Sequence, residues 1–208
     1  MTIVVHHLEN SRSQRVLWML EELGLPYEVK RYERDRATMR APAALRRVHP
    51  LGKSPVIEDG GAVIAETGAI AEYLVARADG RLGPPEDGDG ARRWRFWLHY
   101  AEGSLMPVLF AQLVLGRVPL LGRFAKKRFQ PMIDVHLDYV EAELAQRPWL
   151  AGDELSGADI MMSFPLEAAR SRTGLDDGRP ATIAWLEKIH ARPAYQAALA
   201  RGGAYAYA

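Results

Sequence analysis

The sequence contains no cysteine among its 208 residues. Disulfide bonds, thiolate nucleophiles and thiolate metal sites are therefore excluded. Any thiol chemistry would need a thiol group that a ligand brings with it.

An excess of charge of one sign is also lacking. The formal net charge of +1 gives no electrostatic reason to expect nucleic acid or an anionic membrane as partner. No apolar run reaches the roughly 20 residues of a membrane-spanning helix, and the first residues lack the basic flank of a signal peptide. We therefore expect a cytoplasmic protein, without nucleic acid or membrane partners, whose 48% hydrophobic residues can form one or two cores.

Local patterns in the first part of the chain alternate between strand and helix. We predict strands at 2–6 and 27–32, with a helix over 12–23 between them, because apolar residues recur there at helical spacing. A strand, a helix and a second strand over some thirty residues indicate a right-handed unit with parallel strands. One or two helical turns are predicted within 42–48.

The ends of the first helix carry their own signals. Ser11 followed by Gln14 is a capping-box pattern, and Gly24 is typical of a helix end. Taken alone, the pattern gives Ser11 no role beyond that of a helix cap.

The stretch 48–67 is the part around which the rest is organised. A Gly-Lys-Ser-Pro turn ends at Pro55, and two short apolar runs joined by an Asp-Gly-Gly turn predict a β-hairpin. The bond between Ser54 and Pro55 precedes a strand, where a cis peptide can be held. In that case the Ser54 backbone would face outward, and an extended peptide could pair with it.

The complete pattern predicts two domains. Glu66 and Thr67 open a helix that ends near Arg77, so that the order within 1–79 is β-α-β-α-β-β-α. Residues 80–90 are rich in glycine and proline, as is typical of a linker, and every periodic segment within 91–208 is helical. The predicted fold class is an α/β domain followed by an all-α domain.

Three features stand out in the helical part. Pro107 is predicted to kink or break a helix over 94–115, and Ser156 with Asp159 has the spacing of a capping box, a structural role. The next helix after 94–115 is predicted to turn one apolar stripe toward the core. Its members are Met132, Val135, Tyr139, Val140 and Leu144.

Four motifs in this order resemble the cytosolic glutathione transferases, closest to the bacterial and fungal members of the yeast-like type. The motifs are SRSQRVLWMLEELGLPYE at 11–28, HPLGKSPVIEDG at 49–60, the pair Glu66-Thr67 and LSGADIMMSFPLE at 155–167. The resemblance covers nearly the whole chain. It implies a thioredoxin-like N-terminal domain that binds glutathione as co-substrate, a helical domain that forms the pocket for a small hydrophobic electrophile, and a homodimer.

The resemblance also implies which residues bind the peptide part of glutathione. Thr67, at a helix start, would bind the γ-glutamyl carboxylate, and Glu66 would pair with the ammonium group. Ser54, which precedes Pro55, would exchange main-chain hydrogen bonds with the cysteinyl residue, and Lys53 would meet the glycine carboxylate.

Three residues compete for the thiol group. Matching the first helices without gaps puts the family's catalytic serine at Asn10, with Ser11 one position later and Ser13 two beyond that. We favour Ser11, because a hydroxyl donor at a helix start stabilises a thiolate, and Asn10 is the alternative. Glutathione ionised in this way would attack an electrophile in a conjugation reaction or reduce an organic peroxide.

Other interpretations of the same residues remain. Gly-Lys-Ser at 52–54 lacks the upstream glycine and the following helix of a phosphate loop, and His6-His7 lacks partners at metal-ligand spacing, so no metal site is expected. Tyr100 and Met106 either belong to the helical core or line the electrophile pocket. Because asparagine stands at the gap-free catalytic position, a non-catalytic glutathione-binding carrier or regulatory protein is the alternative function.

Overall fold

The computed structural model describes residues 2–86, 88–119 and 122–207, and of Arg123 only the backbone. Positions 1, 87, 120, 121 and 208, which fall within the predicted domains and linker, lie outside the described residues. Among the helices described here, none combines the length and the apolar character that crossing a membrane requires.

A four-stranded mixed sheet forms the centre of the first part of the chain. Its strands are β1 (Ile3–Leu8), β2 (Tyr27–Tyr32), β3 (Val56–Asp59) and β4 (Ala62–Ala65), in the order β2-β1-β3-β4. Strand β1 pairs parallel with β2 and antiparallel with β3, and β3 pairs antiparallel with β4. The predicted βαβ unit and hairpin are both present, and the fold class predicted from the sequence is confirmed.

Two helices and a short 3-10 segment connect the strands. They are α1 (Ser13–Leu23), the 3-10 turn Ala43–Arg47 and α2 (Thr67–Arg77). Gly24 ends α1 with a φ of 62°, a left-handed conformation that glycine adopts without steric cost. The turn between β3 and β4 places Gly60 and Gly61 at φ values of 57° and 89°, as a tight hairpin requires.

The predicted capping box at the start of α1 is not formed. Arg12 is the N-cap residue, and the Ser11 hydroxyl accepts a hydrogen bond from the Ser13 N–H at 3.3 Å. The Gln14 side chain is buried, and its amide atoms have no hydrogen-bond partner among the described residues. Gln14 therefore does not reach back to the Ser11 backbone, because its side chain points into the interior.

The remaining helices are α3 (Gly88–Tyr100), α4 (Met106–Leu115), α5 (Gly122–Leu144), α6 (Gly157–Arg172), α7 (Pro180–His190) and α8 (Pro193–Gly202). A single π-helical turn, Ala101–Leu105, separates α3 from α4, and Pro107 lies in the first turn of α4. The predicted break at Pro107 is confirmed. It occurs just upstream of the proline, because proline cannot supply the N–H group of an uninterrupted helix and its ring clashes with the preceding turn.

The prediction for the apolar stripe of α5 was wrong for three of its five members. Val140 and Leu144 are buried, but Met132, Val135 and Tyr139 are 52%, 69% and 40% exposed. The buried stripe instead consists of Ile133, Leu137, Val140 and Leu144. Helix α5 is apolar on two faces, so helical spacing alone does not reveal which face is buried.

The predicted capping box of α6 is formed. The Asp159 carboxylate accepts hydrogen bonds from the Ser156 N–H at 3.0 Å, the Ser156 hydroxyl at 2.9 Å and the Leu150 N–H at 2.9 Å. Asp159 is fully buried, and burial raises the pKa of its carboxyl group to about 6.

The chain divides into two compact units. One comprises the residues up to Gly83 together with His190–Ala206, and the other comprises Pro84–Ile189 with Tyr207. Helix α8 belongs to the first unit, although the sequence assigned it to the helical domain 91–208. The reason is its packing on α1, where Tyr195 meets Trp18 edge-on at 5.3 Å and Arg192 forms an ion pair with Glu22 at 2.5 Å. The domain limits at 79, 80–90 and 91 stay predictions.

Candidate functional site

Two of the predicted thiol-binding residues lie in one buried hydrogen-bond cluster at the start of α1. The Ser11 and Ser13 hydroxyl oxygens are 2.7 Å apart, and Ser13 Oγ is 2.9 Å from His7 Nδ1. The Leu8 N–H donates to Ser13 Oγ at 3.3 Å. Ser11 is 6% exposed and Ser13 is completely buried, so Ser11 is the serine of this pair nearer to the surface.

Ser54 is bound to the same end of strand β1. Its hydroxyl donates to the His6 carbonyl oxygen at 2.7 Å and accepts from the Leu8 N–H at 3.2 Å. The peptide bond between Ser54 and Pro55 is cis. The Leu8 N–H is thus shared between Ser13 and Ser54, which brings the predicted thiol-binding turn and the predicted backbone-binding residue into one network.

The other predicted residues lie at the start of α2 and in the loop before β3. Thr67 is the first residue of α2, where backbone N–H groups have no partner within the helix, and its side chain is buried. Glu66 is the exposed N-cap residue, and its φ of 70° is a left-handed conformation that costs about 1–3 kcal/mol outside glycine. Lys53 is exposed.

Arg15 is a neighbour of this site that the sequence prediction missed. It is 2% exposed, and its Nη2 donates to the Thr67 hydroxyl oxygen at 3.4 Å. This contact joins residues 52 positions apart, from α1 to α2. An arginine on a helix with apolar spacing is normally a surface residue, so the sequence carried no signal for it.

Asn10 adopts a φ of 48° and is bound on two sides. Its Oδ1 accepts from the Ala206 N–H at 2.7 Å, and its carbonyl oxygen accepts from Arg34 Nη2 at 3.3 Å. The Asn10 side-chain oxygen therefore supports the C-terminal segment of the same unit.

His7, which the prediction considered only as a metal ligand, is part of the serine cluster. It is 3% exposed, and burial together with the nearby charge of Arg31 lowers its pKa to about 4. A backbone hydrogen bond with Gly202 opposes this shift. The imidazole is therefore neutral at neutral pH.

His6 lies in a separate network. Its Nδ1 is 2.8 Å from the Tyr32 hydroxyl and its Nε2 is 2.6 Å from Glu58 Oε1. Across the part of the chain that the structure describes, no three histidine, aspartate or glutamate side chains are grouped so as to hold a metal ion.

The two residues considered for an electrophile pocket lie in the second unit. The Tyr100 hydroxyl is 2.5 Å from His136 Nδ1, its ring stacks on Phe96, and burial raises its pKa. Met106 is buried. The pocket role of Tyr100 and Met106 stays a prediction.

Comparison with known proteins gives matches along both halves of the chain. Residues 11–77 match the family model of the glutathione S-transferase N-terminal domain, and residues 123–193 match that of the C-terminal domain. Glutathione S-transferase 3 of Schizosaccharomyces pombe is 38% identical over 207 residues, covering 92% of this chain and 84% of the relative.

Solved structures agree with these matches. A glutathione S-transferase from Actinobacillus pleuropneumoniae superposes with a TM-score of 0.88 at 35% identity, covering 97% of this chain and 93% of its own. A sphingomonad glutathione S-transferase complexed with glutathione gives a TM-score of 0.79 at 27% identity, covering 96% and 98%.

Proposed function

The chain belongs to the glutathione S-transferase family and is a transferase with glutathione as co-substrate; on that premise we propose that it stabilises the glutathione thiolate with Ser11. The thiolate then attacks small apolar electrophiles. It can also attack an organic peroxide, which is reduced to the alcohol and water while two glutathione molecules are oxidised to the disulfide. The observation that carries this proposal is the shared Leu8 N–H, which links Ser54 to Ser13 and through it to Ser11. A cysteinyl residue paired with the Ser54 backbone would have its sulfur close to the Ser11 turn.

The γ-glutamyl end is bound at the start of α2 in this proposal. Because a guanidinium group can only donate, the contact from Arg15 occupies a lone pair of the Thr67 hydroxyl and leaves the hydroxyl proton for a carboxylate. The first N–H groups of α2 and the positive end of its dipole add to this attraction. Glu66 pairs with the ammonium group, and Lys53 meets the glycine carboxylate.

Ser11 is favoured over Asn10 because its hydroxyl group, just before the N-cap residue of α1, is a donor at the helix start, where a thiolate is stabilised. The Asn10 side chain is tied to the C-terminal segment, where its oxygen accepts the Ala206 N–H. A hydrogen bond to a charged group contributes about 1.5–3 kcal/mol, which corresponds to a lowering of the thiol pKa by roughly one to two units. The bond to the electrophile forms as the leaving group departs, and solvent takes the thiol proton.

The test is the thiol pKa of bound glutathione, measured by ultraviolet thiolate absorbance in the wild type, Ser11→Ala and Asn10→Ala. We expect Ser11→Ala to raise this pKa by about one to two units and to lower kcat/KM near neutral pH by roughly 10–100-fold. Asn10→Ala is expected to have the smaller effect. The reverse order would assign the sulfur contact to Asn10, and glutathione binding without turnover of any electrophile or peroxide would favour the non-catalytic carrier.

The proposal includes a cytoplasmic homodimer. It is supported by an exposed apolar stripe on α5, formed by Met132, Val135 and Tyr139. The ring of Phe96 of α3 meets the Tyr139 ring edge-on, with the ring centroids 6.0 Å apart. Large exposed apolar patches are typical of protein interfaces. Light scattering of Val135→Glu should show a monomer where the wild type is a dimer, and an unchanged mass would place the interface elsewhere.

A further inference from the structure

Two reciprocal hydrogen bonds tie the turn 10–13, which the proposed function assigns to the thiol group, to the segment that follows β2. Glu9 Oε1 accepts the Arg34 backbone N–H at 2.8 Å, and Arg34 Nη2 donates to the Asn10 carbonyl oxygen at 3.3 Å. The Glu9 N–H donates to the Tyr32 carbonyl oxygen at 3.0 Å. Each donor is a backbone N–H or a guanidinium group, and these groups can only donate, so the direction of every bond is fixed.

The residue held by Arg34 has an unusual backbone conformation. Asn10 has a φ of 48°, a left-handed conformation that asparagine adopts more readily than most residues other than glycine. Its side-chain oxygen accepts the Ala206 N–H at 2.7 Å, so Asn10 is bound through both its carbonyl group and its side chain. Ser11 follows directly, and the position of its hydroxyl group therefore depends on how Asn10 is held.

The guanidinium group of Arg34 also brings a positive charge to this turn. Its second hydrogen bond runs from Nη1 to the Met39 carbonyl oxygen at 3.1 Å. Among the described residues the guanidinium group forms no ion pair with a carboxylate, and its hydrogen bonds go to carbonyl oxygens. Arg34 is half-buried, and salt screens a partly buried charge less than an exposed one.

Covalent geometry limits how far this charge can lie from the proposed sulfur position. One peptide bond and one side chain separate the Asn10 carbonyl oxygen from the Ser11 hydroxyl group, so Arg34 Nη2 lies within roughly 8–9 Å of Ser11 Oγ. A single charge about 10 Å from a thiol lowers its pKa by about 0.3 units in water and by about one unit at an effective dielectric constant of roughly 20.

We propose that Arg34 is a positioning residue for the transferase reaction, which fixes the turn 10–13 through the Asn10 carbonyl group and holds beside the thiol a positive charge that favours the thiolate. This inference rests on the proposed function, in which the thiol lies over the turn 10–13. Arg34 acts through the turn and through its charge, and Ser11 remains the residue that contacts the sulfur.

Other charged groups close to the turn keep their charge during a titration of the thiol. Glu9 and Asp35 carry negative charge on the β2 side, where Asp35 accepts hydrogen bonds from Thr38, and Arg15 of α1 is bound to Thr67. Because the pKa of His7 is about 4, its ring stays neutral above pH 5.5 or so. Differences between variants at Arg34 therefore report the loss of its own charge and bonds.

Two variants of Arg34 separate its charge from its hydrogen bonds. Arg34→Met removes both, and we expect it to raise the thiol pKa of bound glutathione by about 0.3–1 unit. Arg34→Lys keeps the charge without the fork that reaches two carbonyl oxygens, and it should retain most of the wild-type pKa. If Arg34→Met fails to fold, Arg34→Gln replaces it, because its amide can still donate to a carbonyl oxygen but carries no charge.

The salt dependence tests the electrostatic part directly. Raising the ionic strength from 0.1 M to 1 M shortens the screening length from about 10 Å to about 3 Å. The difference in thiol pKa between the wild type and Arg34→Met should therefore shrink markedly at 1 M salt. A purely structural role for Arg34 would change stability or the KM for glutathione without a salt-dependent change in the thiol pKa.

A matched control and an opposite perturbation complete the test. Arg36→Met removes an exposed arginine from the same segment, for which the described part of the chain shows no side-chain partner, and it should shift the thiol pKa clearly less than Arg34→Met. Glu9→Gln keeps an oxygen acceptor for the Arg34 N–H but removes a negative charge, so it should lower the thiol pKa.

The outcomes distinguish this inference from the proposed function. An unchanged thiol pKa in Arg34→Met, an equal effect of Arg36→Met, a shift that does not depend on salt or a rise in Glu9→Gln would each refute the role of Arg34. The proposed function would stand in all of these cases, provided that Ser11→Ala raises the thiol pKa. A silent Ser11→Ala would refute the sulfur contact of the proposed function, whatever the Arg34 variants show.

Discussion

Acid stability offers a quantitative test of the buried environment of His7. Burial lowers its pKa to about 4 from an ordinary value of 6.5. On acidification, His7 is therefore protonated near pH 6.5 in the unfolded chain but only near pH 4 in the folded protein. The stability that His7 contributes is present above pH 6.5 and is lost as the pH falls toward 4, by about 3.4 kcal/mol in full.

Asp159 acts in the opposite direction over nearly the same range. Its pKa is raised from 3.8 to about 6 by burial, so the folded protein keeps a proton that the unfolded chain has lost. Its contribution to stability is present below pH 3.8 and is lost as the pH rises through 6, by about 3 kcal/mol in full. In the wild type the two groups largely cancel between pH 4 and 6.5.

A variant that lacks one of the two titrating groups reveals the contribution of the other to the pH dependence of stability. Between pH 7.5 and 4.5, linkage gives a loss of about 2.5 kcal/mol from His7 and a gain of about 2 kcal/mol from Asp159. His7→Phe should therefore gain about 2.5 kcal/mol of unfolding free energy relative to the wild type on acidification. Asp159→Asn should lose about 2 kcal/mol relative to the wild type over the same range.

The assay is urea unfolding followed by circular dichroism at several pH values, with the difference between variant and wild type as the readout. A difference between proteins at each pH cancels every group the substitution leaves alone, including His136, whose pKa burial also lowers. Parallel profiles for His7→Phe and the wild type would mean that His7 titrates normally when folded. That result would refute the burial argument and, with it, the neutral imidazole in the serine cluster.

Two further predictions concern packing and glutathione affinity. Gly202→Ala would place a Cβ atom 2.7 Å from Gln14 Oε1 and 3.4 Å from His7 Cε1, and we expect a loss of about 1–3 kcal/mol in urea unfolding. Gly68→Ala, with nothing within 4 Å, is the control and should stabilise by about 0.4–1 kcal/mol. Lys53→Ala should raise the KM for glutathione roughly fivefold at unchanged kcat, while Lys127→Ala, also exposed, should not; equal effects would remove Lys53 from the site.

Local signals in the sequence predicted the α/β part of the fold well. Strand β2 begins and ends at the predicted residues, and Gly24 ends α1, because each depends on a few neighbouring residues. The hairpin turn is another such case, since the loop residues Gly60 and Gly61 readily adopt the positive φ angles that a two-residue loop needs. The family was indicated by the resemblance of four motifs in order along the chain, and no single helix, strand or turn pattern would have indicated it.

Features that depend on tertiary packing were beyond the sequence. Helix α5 carries apolar residues at helical spacing on two faces. Only the packing of other elements against the helix determines that Leu137 is buried while Val135 is exposed. The capping box predicted from Ser11 and Gln14 is not formed for the same reason, because the Gln14 side chain is buried in the interior. Periodicity reports that a face is apolar, not what covers it.

The two ends of the proposed glutathione site differ in whether their surroundings fix the direction of the hydroxyl proton. Thr67 faces Arg15, and a guanidinium group carries no lone pair, so the Thr67 proton can only point away from it. Ser11 is reached through Ser13 from His7, and a neutral imidazole can donate or accept at either nitrogen. The carboxylate-binding end is therefore preset as a donor, whereas the orientation of the thiol-binding end depends on one proton position on His7.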